Sequence, residues 1–301
     1  MSSEAHDLNW CQRRWSPWIP LADIRDNREI LPQGSGIYRI RACGRDALMY
    51  LGQSGRLRGR LLYDLYRPLY AHTAPWNDPH TAAPALWAYR VEDGFSYEVS
   101  VTEAPEDKRE RHGLEDYLLW QHRLSTGRSA MCNYGRFHSR YVRPSNRKSG
   151  RAMSRIAPEA DAKLYDESAD PLDLRGHPGS ARWMGLTWTR PRPLTRSGIS
   201  KLSPDAGVYR IYTTDGEDDA ANTREKQTSL LHYIGQASDL RKRARTHVQR
   251  TWSPSAVISV AIHAAYQTYQ LLERESDLLG AHVAQMGQPP LRQYGNLPPT
   301  S

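Results

Sequence analysis

GIYRI at residues 36–40 followed by YLGQSGRLRGR at 50–60, and GVYRI at 207–211 followed by YIGQASDLRKR at 233–243, are one phrase written twice. In each copy an arginine stands ten residues after the second tyrosine, Arg60 after Tyr50 and Arg243 after Tyr233. A repeat with fixed internal spacing marks a duplicated structural unit and shows which residues act as a set. In the first copy SGIYRI and ALMYLG are short apolar runs parted by ACGRD, which reads as a β-hairpin with a glycine in its turn. The second hairpin is looser, because the polar insert TTDGEDDAANTREKQT separates its strands as an expected exposed loop.

Outward from the hairpins the two copies stay parallel. A tryptophan-rich lead-in precedes each, RRWSPWIPL and ARWMGLTWTRPRPL, and Trp15, Trp18, Trp183 and Trp188 read as packing residues of these lead-ins. A basic amphipathic segment follows each hairpin, RLRGRLLYDLYRPLY or DLRKRARTHVQR, with helical periodicity. Next come a strand, FSYEVSV at 95–101 or AVISVAI at 256–262, and a helix, EDKRERHGLEDYLLWQHRL or YQLLERESDLLGAHVAQM, closed by glycine and proline. Strand, strand, helix, strand, helix predicts an α+β fold of two tandem small domains, each a short antiparallel β-sheet flanked by helices. The expected boundaries are 1–145 and 181–301, joined by a linker over 146–180 that is first basic and then acidic.

The chain has 301 residues and a formal net charge of +8, which points to a polyanionic partner. The opening MSSEAHDLNW has no apolar signal segment and no run of eighteen apolar residues occurs, so no membrane partner and a cytoplasmic location are expected. Three scattered cysteines, Cys11, Cys43 and Cys132, suit neither a disulfide framework nor a structural zinc site and read as reduced thiols. Arg136, Arg140, Arg143, Arg147, Lys148, Arg151 and Arg155 stand in a stretch without an acidic residue. It reads as a phosphate-binding arm ordered only on its target, with Arg56, Arg58, Arg241 and Lys242 as further phosphate contacts. WNDPHTAAPALW, holding Trp76, Asn77, Asp78, His80 and Thr81 with His72 nearby, reads as a polar DNA-contacting or structural loop, since its histidine spacing fits no standard metal site.

Hydrolysing a phosphodiester takes a base for water, a divalent metal and a cation for the charge on the equatorial oxygens. Each repeat holds candidates for all three. A phenol with pKa near 10 is a poor base until a metal or cation beside it favours the phenolate.

GIY, YIG, a spaced arginine, a helical glutamate and a trailing amide, in this order and twice, resemble the GIY-YIG nuclease superfamily. The resemblance covers nearly all of both domains and implies a metal-dependent DNA endonuclease, with one Mg2+ or Mn2+ per site and double-stranded DNA as substrate. It implies Tyr38 and Tyr50 as paired phenols, Arg60 as the phosphate-stabilising cation, Glu115 as the metal ligand and Asn133 as the trailing amide. The second repeat supplies Tyr209, Tyr233, Arg243, Glu275 as metal ligand, and Gln293 in place of the asparagine, with His247 four residues past the arginine to help proton transfer. Tyr38 and Tyr209 are the expected bases, with Tyr50 and Tyr233 bonding the water or the scissile phosphate. Departures from the family pattern are Gln53 and Gln236 where the repair enzymes often have lysine, Asp64 at the histidine position, and Asn296 aligned with Arg136. Glu273 competes with Glu275, but the parallel of LEDYLL with RESDLL favours Glu275. Two fused catalytic folds would let a monomer act as its own pseudo-dimer on both strands. Two other readings fit these residues: a nickase or structure-selective nuclease with one cutting and one binding domain, and a nucleic-acid-binding protein without catalysis.

Overall fold

In the computed structural model, residues 4–45, 47–75, 82–144, 151–157, 167–213 and 230–295 are described. Trp76–Thr81, Arg147, Lys148, Asn296 and nearly all of the insert between the strands of the second hairpin lie outside them. The fold is α+β, and the chain divides into two compact units, Met1–Asp170 and Pro171–Ser301.

In the first unit β1 is Ile19–Pro20, β2 Gly36–Ala42 and β3 Leu48–Ser54. Helix α1, Leu57–Gly59, runs through a π-helical stretch, Arg60–Leu65, into α2, Tyr66–Leu69. After these come α3, Ala83–Asp93, then β4, Tyr97–Glu103, and α4, Lys108–Thr126. A two-rung hairpin, β5 at Tyr141–Val142 and β6 at Ser154–Arg155, completes the unit. The sheet order is β1-β4-β2-β3, antiparallel throughout. Alternation along β2 divides the core: Tyr38 and Ile40 pack with Leu57, Leu61 and Leu65, while Ile37 packs with Leu118 and Leu119 of α4.

The second unit repeats this with β7 at Arg192–Pro193, α5 at Arg196–Ile199, β8 at Gly207–Thr213, β9 at Leu230–Ala237, α6 at Leu240–Val248, β10 at Ala256–Ile262 and α7 at Thr268–Met286. Its sheet order, β7-β10-β8-β9, is that of the first, and each hairpin has its register shift after the same isoleucine, Ile40 or Ile211. The duplication therefore extends to the pleat.

Several expectations are corrected. The stretch before β4 was expected to be a loop, yet it contains α3, whose residues Ala83–Ala88 are all buried. Its apolar run is buried all round and so carries no amphipathic period. The two lead-ins are also offset from the reading above. Trp15 donates its indole N–H to the Trp10 carbonyl at 3.1 Å, and Trp188 to that of Trp183 at 3.1 Å, so Trp10 rather than Trp18 is the first repeat's equivalent of Trp183. What these tryptophans hold was not anticipated: Arg39 and Arg210, the arginines inside GIYRI and GVYRI, are 0% and 1% exposed. Their guanidiniums lie 4.2 Å from the Trp15 ring and 4.3 Å from the Trp188 ring. Each also donates to a lead-in carbonyl, Ala5 or Pro178. A buried guanidinium, bonded through its terminal nitrogen to backbone and lying against aromatic faces, straps each lead-in to its sheet.

The basic stretch before the linker is not a free arm where it is described. Arg136 is 6% exposed and donates to Ser168 at 2.8 Å. Arg140 and Arg155 pair with Glu92 of α3 at 3.6 and 2.8 Å, and Tyr141 donates to the same carboxylate at 2.7 Å. That bond, with Arg155 and Arg140 beside it, holds Glu92 below the usual carboxylate range. The missing acid comes from an element distant in sequence. The end of the expected linker is likewise docked: Arg123 donates to Ala169 O at 2.7 Å, and Ser129 N donates to Ser168 at 3.0 Å.

Candidate active site

The cross-strand partner of Tyr38 is Gly52, and that of Tyr209 is Gly235. A Cβ at Gly52 would stand 2.5 Å from Tyr50 Cε1 and 2.8 Å from the Tyr38 hydroxyl, so glycine is required for the phenol to lie across the strand. The second tyrosine is the diagonal neighbour on the same face, and the ring centroids are 5.8 Å apart for Tyr38 and Tyr50 and 6.1 Å for Tyr209 and Tyr233. This explains the glycine of each YLG or YIG and brings the paired phenols together.

In the second unit the other expected residues converge on them. Arg243 Nε donates to the Tyr209 hydroxyl at 3.0 Å, and His247 Nε2 lies 2.9 Å from the same oxygen. Tyr233 is bonded by both Arg243 and Tyr209. Burial raises both phenols above their ordinary value; Tyr233 and then Glu275 add to this at Tyr209, Glu275 adds to it at Tyr233, and Arg243 pulls each down. Burial pushes the Glu275 carboxyl up to about 7, against the downward pull of Arg243. Glu273 is 0% exposed, whereas Glu275 is partly exposed and acts on the two phenols. His247, 1% exposed, is held neutral by burial and by Arg243, its pKa lowered to about 3.

The first unit assembles the same set differently. Tyr38 bonds Tyr50, and its phenol is raised well above its ordinary value by burial, then by Tyr50, with Arg60 lowering it and Glu115 raising it. Arg60 pairs with Asp64, one turn on, at 3.2 Å. Glu115 Oε2 lies 3.4 Å from His112 Nδ1. His112 was not anticipated; its only sequence signal is a spacing of three residues before the glutamate, which puts both on one helix face.

Tyr38 and Tyr209, expected as the water-activating bases, are each 1% exposed. Tyr50 and Tyr233 are the partly exposed members of the pairs. Solvent therefore meets the second tyrosine, with the first behind it. The trailing amides stand apart from this chemistry. Asn133 brackets Leu51, accepting from its N–H at 3.0 Å and donating to its carbonyl at 2.8 Å, and Gln293 accepts from Ile234 N at 3.2 Å. Both tie the segment after the long helix to the outer hairpin strand, beside backbone bonds from Cys132 to Met49 and from Arg292 to His232. Of the expected phosphate contacts, Arg56, Arg140, Arg151 and Lys242 are exposed. Arg58 and Arg241 spend donors on the Leu31 and Leu202 carbonyls at 2.9 and 2.6 Å, and Arg143 lies partly buried against Gly135. Arg136 is buried and is not available to a phosphate.

Among the described residues no group of three or more His, Cys, Asp and Glu is placed to hold a metal ion. Each unit offers one carboxylate beside phenols, a hard oxygen donor set that fits a divalent cation keeping most of its ligands as water or phosphate oxygens. No helix among the described residues is long and apolar enough to cross a membrane. No protein-family model matches the sequence, and no curated protein is similar to it.

Proposed function

We propose that this protein is a metal-dependent DNA endonuclease of the GIY-YIG type, with one hydrolytic site in each unit, acting on double-stranded DNA in the cytoplasm. The observation that carries the reading is the second unit, where Tyr209, Tyr233, Arg243, His247 and Glu275, drawn from two strands and two helices, meet around one pair of phenols. Structural packing alone does not call for a carboxylate raised to about 7 next to a guanidinium and two phenols.

In this mechanism Tyr233 takes the proton of the attacking water. Burial and Glu275 raise the Tyr233 phenol above its ordinary value, and two partners, Arg243 and the Tyr209 hydroxyl, oppose that rise, with His247 Nε2 in turn 2.9 Å from the Tyr209 oxygen. Arg243, on the same oxygens, faces the charge that builds on the phosphate. Glu275 would hold Mg2+ or Mn2+, which when bound lowers the cost of that charge. Tyr50, Tyr38, Arg60 and Glu115 take the corresponding parts in the first unit. The exposed Arg56, Arg140, Arg151 and Lys242 would contact the DNA backbone. Supercoiled plasmid incubated with and without Mg2+ tests the reading: cleavage should require the metal and vanish in a Glu115→Gln, Glu275→Gln double variant, and cleavage that survives in it removes the assignment.

A second reading, in which only the second unit cuts and the first holds the substrate, is favoured by the Arg60–Asp64 pair, which directs the first unit's guanidinium along its own helix. Linear product from wild type and nicked circles from each single glutamate variant would show two cutting sites.

A further inference from the structure

We infer that Arg111, Gln53 and His112 form a hydrogen-bond relay that orients the Glu115 carboxylate, a positioning device the second unit lacks. The inference rests on the nuclease reading of the first site. Arg111 is 7% exposed and anchored, donating to the carbonyls of Pro105 and Glu106 at 3.0 and 2.8 Å. Its Nε donates to Gln53 Oε1 at 2.8 Å. That bond fixes which way the Gln53 amide faces: its oxygen is taken, so its Nε2, which has no lone pair to offer, faces the His112 ring, 3.3 Å from Nδ1 and 3.2 Å from Nε2. Ring Nδ1 of His112 in turn lies 3.4 Å from Glu115 Oε2.

The chain of contacts thus runs from a buried, anchored guanidinium to a carboxylate that is 19% exposed. His112, packed between Gln53 and Glu115, acts on the carboxylate as its outer partner. Outer partners of this kind set the direction and basicity of a ligand oxygen. In the second unit the residues aligned with Arg111 and His112 are Leu271 and Leu272, and Gln236 has neither partner there. Gln53, a departure from the family's lysine, acquires a task from its neighbours.

The test uses the full chain carrying Glu275→Gln, so that only the first site reports, with Mn2+ binding followed by electron paramagnetic resonance and single-turnover cleavage measured alongside. His112→Leu should weaken Mn2+ binding about tenfold. His112→Gln should restore it to within about twofold, because its amide can accept from Gln53 and donate to Glu115. Gln53→Leu, which frees the ring to flip, should reproduce part of the loss. Thermal melts establish that each variant is folded. The relay is overturned by unchanged Mn2+ binding in folded His112→Leu, by the absence of Mn2+ binding that depends on Glu115, or by nitrogen hyperfine coupling that places the imidazole on the metal. Mn2+ binding that follows the relay without any cleavage would instead remove the nuclease reading and leave the relay standing.

Discussion

The two half-sites hold the same four residue types and preorganise opposite halves of them. In the second unit the cation is in place: Arg243 bridges both phenols and His247 supports Tyr209, while Glu275 is left to burial. In the first unit the carboxylate is the tethered group, held by His112, while Arg60 is drawn toward Asp64. One position, four residues beyond the arginine, accounts for much of the difference. A histidine there points a nitrogen at the phenol, whereas an aspartate competes for the guanidinium. The lesson is that matching letters specify which groups arrive at a site, and their neighbours specify which of them are already aimed.

The largest effect that would break this comparison is loss of both carboxylates. Glu115→Gln with Glu275→Gln should lower plasmid cleavage at least about 10³-fold, as removal of the principal charge-stabilising interaction does. Exchanging the discriminating residue sharpens it. With the other unit silenced, His247→Asp should slow single-turnover cleavage by the second unit about 100-fold, and Asp64→His should speed the first, within the range of a positioned proton-transfer group. Equal rates for parent and exchanged chains would make position 64 or 247 irrelevant to the chemistry.

Smaller effects concern stability. Asn133→Ala leaves the N–H and carbonyl of Leu51 both unpaired and should cost the first unit about 2 kcal/mol, while Gln293→Ala loses the one bond to Ile234 and should cost the second about 1 kcal/mol, read by urea unfolding. Similar cleavage at saturating DNA would separate these brackets from the chemistry. The smallest effect is pH-dependent. Glu275 moves from an ordinary 4.5 to about 7 on folding, so between those values the folded state keeps a proton that the unfolded state has released. The second unit therefore loses stability as pH rises from about 4.5 to about 7, and the loss is complete above that. Metal-free Glu275→Gln should unfold later than the parent at pH 8 by about 1 kcal/mol after allowance for partial exposure, with the advantage gone at pH 4.

Much of the fold was legible because its signals are local. The apolar runs of each hairpin, its glycines and the spacing to Arg60 and Arg243 depend on strand pairing and helix period, which adjacent residues encode. α3 was missed because its first half, Ala83–Ala88, is buried all round and so has no polar face to give a period. Arg136 was misread because charge in a sequence implies solvent unless the buried partner is known, and Ser168 lies 32 residues away. His112 was missed because its importance depends on Gln53, which is distant in sequence and reaches it only across the fold.

By itself the sequence determined the duplication, the two α+β units and the identity of the groups offered to each site, because these follow from short-range periodicity and from spacing copied intact. Tertiary structure alone decided which phenol meets solvent, which guanidinium bonds the phenols and which carboxylate has a histidine beside it. Those properties depend on burial and on hydrogen bonds between elements remote in the chain, whose energies no local pattern records.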